Sequence, residues 1–358
     1  MHRRLLTALA ASSLAFLSLG STARANEYRV TGPVVHENLA IYLVHGKSAA
    51  GPVPLTLGEA LARSAVKVHE TGNVNELQIE NLGNDEVFVQ SGDIVKGGQQ
   101  DRVLTVSLIL PQKSGRIPIA SFCVEQGRWS ARGKEDVKTF ATASAVVPSR
   151  EAKIAMRAPV AAPPADPAPV GHTRRSDIRP AYTGSDTSSR QQEVWRSVRQ
   201  VQDGLSSNLG TTVNAATSQS SLQLALEHEK LQAAQSAYVA ALEPAGEKDA
   251  DIIGYVFAVN GKLNSAEIYP SNGLFRKMWP KLLKASITEA IGQKNAGGEA
   301  TPMSEAAMAF LDEAMKGPAI EKPLPAQVRL ETRTGEKAFY FETRRASGAW
   351  VHRSYLAK

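Results

Sequence analysis

The stretch EVFVQSGDIVKGGQQDRVLTVSLILP, residues 86–111, decides the class of fold, because its valine- and leucine-rich runs are parted by a turn too short to hold a helix. From Ser91 to Arg102 the turn region carries three glycines, four charged residues and two glutamines. Outward from it the same alternation continues: ELQIEN (76–81) lies before it and RIPIASFCVEQG (116–127) after it, separated by Gly83-Asn84-Asp85 and Gly115-Arg116. Strands joined this closely are sheet neighbours. The order predicts an α+β protein whose N-terminal part is a mostly antiparallel or mixed sheet with one covering helix, not a nucleotide fold of alternating strands and helices. That helix is expected in PLTLGEALARSAVKVHE, with Thr56 as N-cap before Leu57, Ala60 and Leu61.

Further along, the period turns helical. Val194, Val198, Val201 and Leu205 form one stripe, with Ser188 and Gln191 at capping-box spacing; Leu222, Ala225, Leu226 and Tyr238 predict a longer helix ending before Pro244. IIGYVFAV and KLNSAEIY then flank Asn260-Gly261, a dipeptide suited to a two-residue hairpin turn. A helix through Leu274, Phe275, Met278, Leu282 and Leu283 is expected to kink or restart at Pro280, another to start from a Thr301 cap, and three alternating segments from residue 327 to close the chain as a meander.

Between these halves the periodicity disappears. Residues 148–190, rich in proline, alanine and small polar residues, read as an extended or disordered linker, which leaves a β-rich part at 26–147 and an α+β part at 191–358 packed against it. At the start, Arg3 and Arg4 precede an apolar run from Leu5 to Gly20 and then STARA, the pattern of a signal peptide cut after Ala25. Export, most simply to the periplasm, is the expectation; no later segment approaches a membrane span. Without Arg3, Arg4 and Arg24 there remain 38 basic against 35 acidic residues, a net charge of +3. With no basic run interleaved with aromatics, nucleic acid is not the expected partner. Cys123 is the only cysteine, so no disulfide forms within the chain.

The glycine-rich turn fails as a phosphate loop: Gly92 and Gly97 have the spacing, but Gly98-Gln99 stand where Lys-Ser/Thr is needed. It reads instead as a turn in which Gly97 and Gly98 allow positive φ and which displays Asp93, Lys96, Gln99, Gln100, Asp101 and Arg102 to a ligand, or else to water. A second cluster follows. In IASFCVEQGRW, alternation puts Ser121, Cys123 and Glu125 on one face, so Glu125 ends a buried strand and needs a partner such as Arg102 or Arg128. Glu125 is then a candidate acid or base, Arg128 an anion clamp and Trp129 a stacking wall; the plainer reading is a structural ion pair beside a core tryptophan. Cys123 reads as an inert core thiol. The histidines are scattered without metal-site spacing, so no metal or other cofactor is expected, and His352 reads as a half-buried strand residue or one that completes a site.

GDIVKGGQQDRVL, a strand ending at Pro111, and FCVEQGRW together resemble the signature of a prokaryotic family, the ARG and rhodanese-phosphatase-superfamily-associated protein domain, where ARG stands for ADP-ribosylglycohydrolase. VWRSV and GYVFAVNGKLNSAEIYPSNGLF are similar to it as well. The resemblance implies an association with NAD and ADP-ribose metabolism and no particular reaction. It falls on Gly92, Asp93, Gly97, Gly98, Gln99, Arg102, Glu125, Gly127, Arg128 and Trp129. The leader sets this chain apart from an intracellular NAD setting. Three expectations follow: an exported domain that binds a small anionic, nucleotide- or sugar-like ligand through Asp93, Gly97, Gly98, Gln99, Arg102, Arg128 and Trp129; a hydrolase or transferase using Glu125; or a noncatalytic partner of a cell-envelope protein.

Overall fold

The computed structural model describes residues 28–128, 139–157, 184–294 and 297–358. The expected leader, Trp129 and residues 158–183 of the expected linker lie outside the described residues. In chain order the first part comprises β1 (Arg29–His36), β2 (Leu39–His45), β3 (Leu55–Thr56), α1 (Leu57–Ala62), β4 (Val66–Glu70), β5 (Glu76–Asn81), β6 (Val87–Val89), β7 (Asp93–Gly97), β8 (Arg102–Leu104), β9 (Leu108–Leu110), β10 (Gly115–Cys123) and β11 (Phe140–Val146). There follow α2 (Arg150–Arg157), α3 (Gly184–Leu209), α4 (Leu222–Leu226), α5 (Glu229–Glu247), β12 (Ile252–Val259), β13 (Lys262–Ile268), α6 (Asn272–Gly292), α7 (Ser304–Ala314), β14 (Ala319–Leu324), β15 (Val328–Thr334), β16 (Ala338–Arg345) and β17 (Trp350–Ala357). The fold is α+β, with antiparallel and mixed sheets.

An eight-stranded sheet runs β1-β2-β12-β13-β17-β16-β15-β14, a six-stranded sheet β11-β7-β8-β10-β5-β4, and a small one β3-β6-β9. β2 lies directly beside β12, antiparallel from Leu39↔Val259 to His45↔Ile252, so strands from the two ends of the chain share one sheet. Both strands are buried along their whole length because both faces are covered. Alternation sends Leu39, Ile41, Leu43, Tyr255 and Phe257 into a core with Phe275, Trp279 and Leu282 of α6. It sends Ala40, Tyr42, Val44, Val256 and Ala258 into the opposite core with Phe310 and Leu311 of α7. The first of these cores also takes Ile94, Val103 and Phe122, which bind the six-stranded sheet to the helices.

Local signals explain much of this. Thr56 Oγ1 accepts from Glu59 N while the Glu59 carboxylate accepts from Thr56 N, a complete capping box at the start of α1. Asn260 and Gly261 take φ of 52° and 78°, the paired left-handed angles of the expected hairpin turn.

Elsewhere packing overrides local preference. α5 continues through Pro244 to Glu247, where Trp279 Nε1 donates to Glu243 O at 2.9 Å and holds the last turn against α6. α6 likewise runs through Pro280 without restarting. The expected single helix from Leu222 to Tyr238 is broken at Glu227 and His228, whose ring caps the start of α5. α3 begins at Gly184, so Ser188 is inside the helix and not its cap, and α7 is capped at Met303, not Thr301. Residues 150–157, inside the stretch of linker-like composition, form α2, whose Ala152, Lys153 and Met156 are buried.

Candidate functional site

The glycine-rich hairpin is built from β7 and β8, paired at Ile94↔Val103 and Val95↔Arg102. Gly97 and Gly98 have φ of 122° and 56°, and a Cβ on Gly97 would sit 2.4 Å from Thr139 O, so the turn needs glycine. The turn folds its charges inward. Asp101 accepts from Gly97 N at 2.9 Å and from Ser221 Oγ at 3.1 Å, and Asp101 N donates to Glu125 Oε2 at 3.2 Å. Glu125 also accepts from Arg128 Nε at 2.6 Å and from Ser218 Oγ at 2.5 Å. Arg128 donates further to Gly98 O and Gly97 O, and Arg102 donates to Gln100 O and Oε1.

The fold therefore gathers most of the sequence-predicted residues, but not on a surface. Arg102 and Asp101 are 0% exposed and Asp93 is 2% exposed, which corrects the expectation of a turn displaying them, while Glu125, at 0%, is buried as its place on the strand implied. The cause is the segment Ser218–Leu226, which closes over the hairpin and bonds Leu222 N to Val124 O at 3.1 Å. Asp93 stands apart, accepting from Gln90 N and from Lys281 Nζ at 2.6 Å, while Gln99 N donates to Glu70.

Glu125 does not have the setting of a general base. Burial alone would raise its pKa, but Ser218, Arg128 and the Asp101 N–H together hold it below the ordinary carboxylate value. Cys123 donates to Gln100 Oε1 at 3.0 Å, and burial pushes its thiol up to about 11, so it is inert at neutral pH.

A second constellation joins residues far apart in sequence. Ser107, in the link from β8 to β9, is fixed by Ser91 N, which donates to Ser107 Oγ at 2.9 Å, while Ser91 Oγ donates to Thr105 O at 2.8 Å. Ser107 Oγ is 3.0 Å from Nδ1 of His352 on β17, in a hydrogen bond. The other ring nitrogen, Nε2, is 3.0 Å from Oε2 of Glu267 on β13, close as an ion pair though not aligned as a hydrogen bond. The imidazole is walled by Phe88 and Tyr269. Burial opposes charge on Glu267, yet His352, Lys153 and Arg157 together keep its pKa lowered.

Ser107 and His352 border a cavity of about 30 Å³, lined also by Ser91, Thr105, Thr343, Arg157 and Phe341. Arg157, the last residue of α2, donates to Ser354 Oγ at 2.9 Å and stacks its guanidinium 4.0 Å over the Phe341 ring. Lys153 and Glu289 are also buried; burial raises Glu289 to about 7 although Asn264 Nδ2 and Arg150 N donate to it.

Of this constellation the sequence marked only His352. Ser107 and Glu267 carry no local motif: Ser107 stands 160 residues before Glu267, and Glu267 85 before His352. Tertiary pairing also joins His45, Asp249 and Asp251, whose ligand atoms lie within 4.8 Å of one another. Both His45 nitrogens are already engaged, by Thr31 Oγ1 and Asp251 Oδ1 at 2.8 Å each. Among the described residues no helix is long and apolar enough to cross a membrane.

The family model described as the ARG and Rhodanese-Phosphatase-superfamily-associated Protein domain matches residues 27–356. No curated protein and no solved structure matches the chain.

Proposed function

The chain belongs to that domain family, whose description specifies no reaction, and from this premise we propose that it binds a small anionic ligand at the Ser107–His352 cavity. The observation that carries the proposal is the lining: the Arg157 guanidinium, an imidazole and four hydroxyl side chains border one space. A guanidinium offers a planar fork of donors matched to a carboxylate or phosphate, and the Thr343 hydroxyl can donate to a remaining oxygen, while those of Ser91 and Thr105 donate to backbone carbonyls. Glu267 does not line the cavity, and among the described residues that do there is no carboxylate. A space of this size takes the oxygen-bearing end of a ligand, with any sugar or base outside it.

On this reading the glycine-rich hairpin and the Glu125–Arg128 pair are scaffold. They lock β7 and β8, and the backbone beyond β8 carries Thr105 and Ser107 to the cavity. Residues 1–25 serve as an export leader, which puts the ligand in the periplasm.

The test is a thermal-shift series on the chain from residue 26 with inorganic phosphate, small carboxylates, sugar phosphates, nucleotides and ADP-ribose. A ligand that binds only the native state, at about 100 times its Kd, adds about 2.7 kcal/mol to stability. At least one anion should raise Tm by several degrees in the wild type and not in Arg157→Met. If every anion leaves the wild-type Tm unchanged, the proposal fails.

A further inference from the structure

We propose that Ser107 is a nucleophile, with His352 as its base and Glu267 as the charge that orients the ring, and that the cavity hydrolyses a small carboxylic ester carrying an anionic group. The inference rests on the reading of the cavity as an anion site and adds a reaction to it. Its ground is geometry. One imidazole lies between a hydroxyl and a carboxylate at 3.0 Å on either side, and the hydroxyl faces a cavity. All three residues are nearly sealed from solvent, Ser107 at 3%, His352 at 2% and Glu267 at 4% exposure.

The carboxylate beside Nε2 favours the tautomer with its proton there, which leaves Nδ1 bare to accept the Ser107 proton. Most such arrangements present Nε2 to the nucleophile; here the ring is turned, and each nitrogen takes the other's part. The N–H of Ser91, donating to Ser107 Oγ, fixes that oxygen and leaves its second lone pair to attack. Thr343 and Arg157 border the same space and supply donors for the substrate's oxygens.

The steps balance without a further reagent. Ser107 Oγ bonds to the carbonyl carbon as its proton passes to His352 Nδ1, and the carbonyl oxygen takes the negative charge. Collapse of this intermediate breaks the bond from carbon to the alcohol oxygen, and that oxygen leaves with the proton from Nδ1. Water then attacks the acyl carbon, gives a proton to Nδ1, and the Ser107 ester bond breaks as the proton returns to Oγ. Ester and water become acid and alcohol.

The probe is diisopropyl fluorophosphate, a small neutral reagent: Oγ bonds to phosphorus, the phosphorus–fluorine bond breaks, and fluoride leaves. Intact mass and peptide mapping should find one phosphoryl adduct, on Ser107, in the wild type. Ser107→Ala should lose it, and His352→Gln should slow its formation about 100-fold or more. Glu267→Gln should slow labelling, with Glu267→Asp restoring part of the rate, a rescue that a merely structural carboxylate would not give.

The wild type alone keeps the test decisive if a variant does not fold. Absence of an adduct at Ser107, in protein whose Tm an anion raises, overturns the nucleophile and leaves the binding site standing. An adduct at Ser107 with no anion shift leaves the nucleophile and removes the anion reading.

Discussion

Gln191 brackets Cys123: its Oε1 accepts from Cys123 N and its Nε2 donates to Cys123 O, both at 2.9 Å. A helical side chain thus takes the place of a neighbouring strand at the end of β10. Removing it leaves a buried donor and a buried acceptor unpaired, at a cost of about 1–3 kcal/mol for each group. Gln191→Leu should lower the urea midpoint with the slope unchanged, since the surface exposed on unfolding stays the same.

Arg128 and Glu125 form a buried ion pair, and breaking one from a single side costs about 3–5 kcal/mol. Arg128→Ala should therefore destabilise by an amount comparable to Gln191→Leu in the same urea titration. The pair also sets an acid limit. The folded pKa of Glu125 lies below its unfolded value, so its contribution is present above the ordinary carboxylate pKa of 4.5 and is lost as pH falls through the folded value. Glu125→Gln should flatten the stability profile below pH 4.5, which thermal melts across that range will show.

Glu289 has the opposite sign. Its folded pKa, raised to about 7, exceeds the ordinary value of 4.5, so the folded state holds a proton that the unfolded chain has released. Stability attributable to it falls as pH rises from 4.5 to 7 and levels off above that, by about 3 kcal/mol in all. Glu289→Gln should remove this slope and melt higher than the wild type at pH 8, because the amide oxygen still accepts from Asn264 and Arg150 and no charge is buried. A steeper fall for the variant than for the wild type would contradict the assignment.

At the Asn260-Gly261 turn, a Cβ on Gly261 would lie 2.3 Å from Glu299 O, at a φ of 78°. Gly261→Ala should cost about 1–3 kcal/mol from backbone strain, read as a lowered Tm.

What the sequence revealed and what it hid divide by range. Thr56 with Glu59, and Asn260 with Gly261, act through neighbours a few residues away, so their roles are legible in a string. The α+β class followed from the short turns that separate the strands between Glu76 and Cys123. Pro244 misled because a helix end was inferred from backbone preference, while the contact that decides it comes from Trp279 on another helix. At Asp101 and Arg102 the clustering was legible and the direction was not: polar composition reads the same whether a turn faces water or the Ser218–Leu226 segment, whereas the burial of Glu125 followed from strand alternation. Ser107 and His352 are 245 positions apart, and no spacing rule joins them.

The pairing of β2 with β12 has a consequence in time. On the export reading His45 crosses the membrane 214 residues ahead of Val259, an interval in which β12 has not yet arrived. Throughout it the apolar β1–β2 hairpin has no neighbour on its inner edge. Contacts of such sequence separation make for slow folding, so the centre of this molecule is among the last of its parts to form and the first to need protection from other unfolded chains.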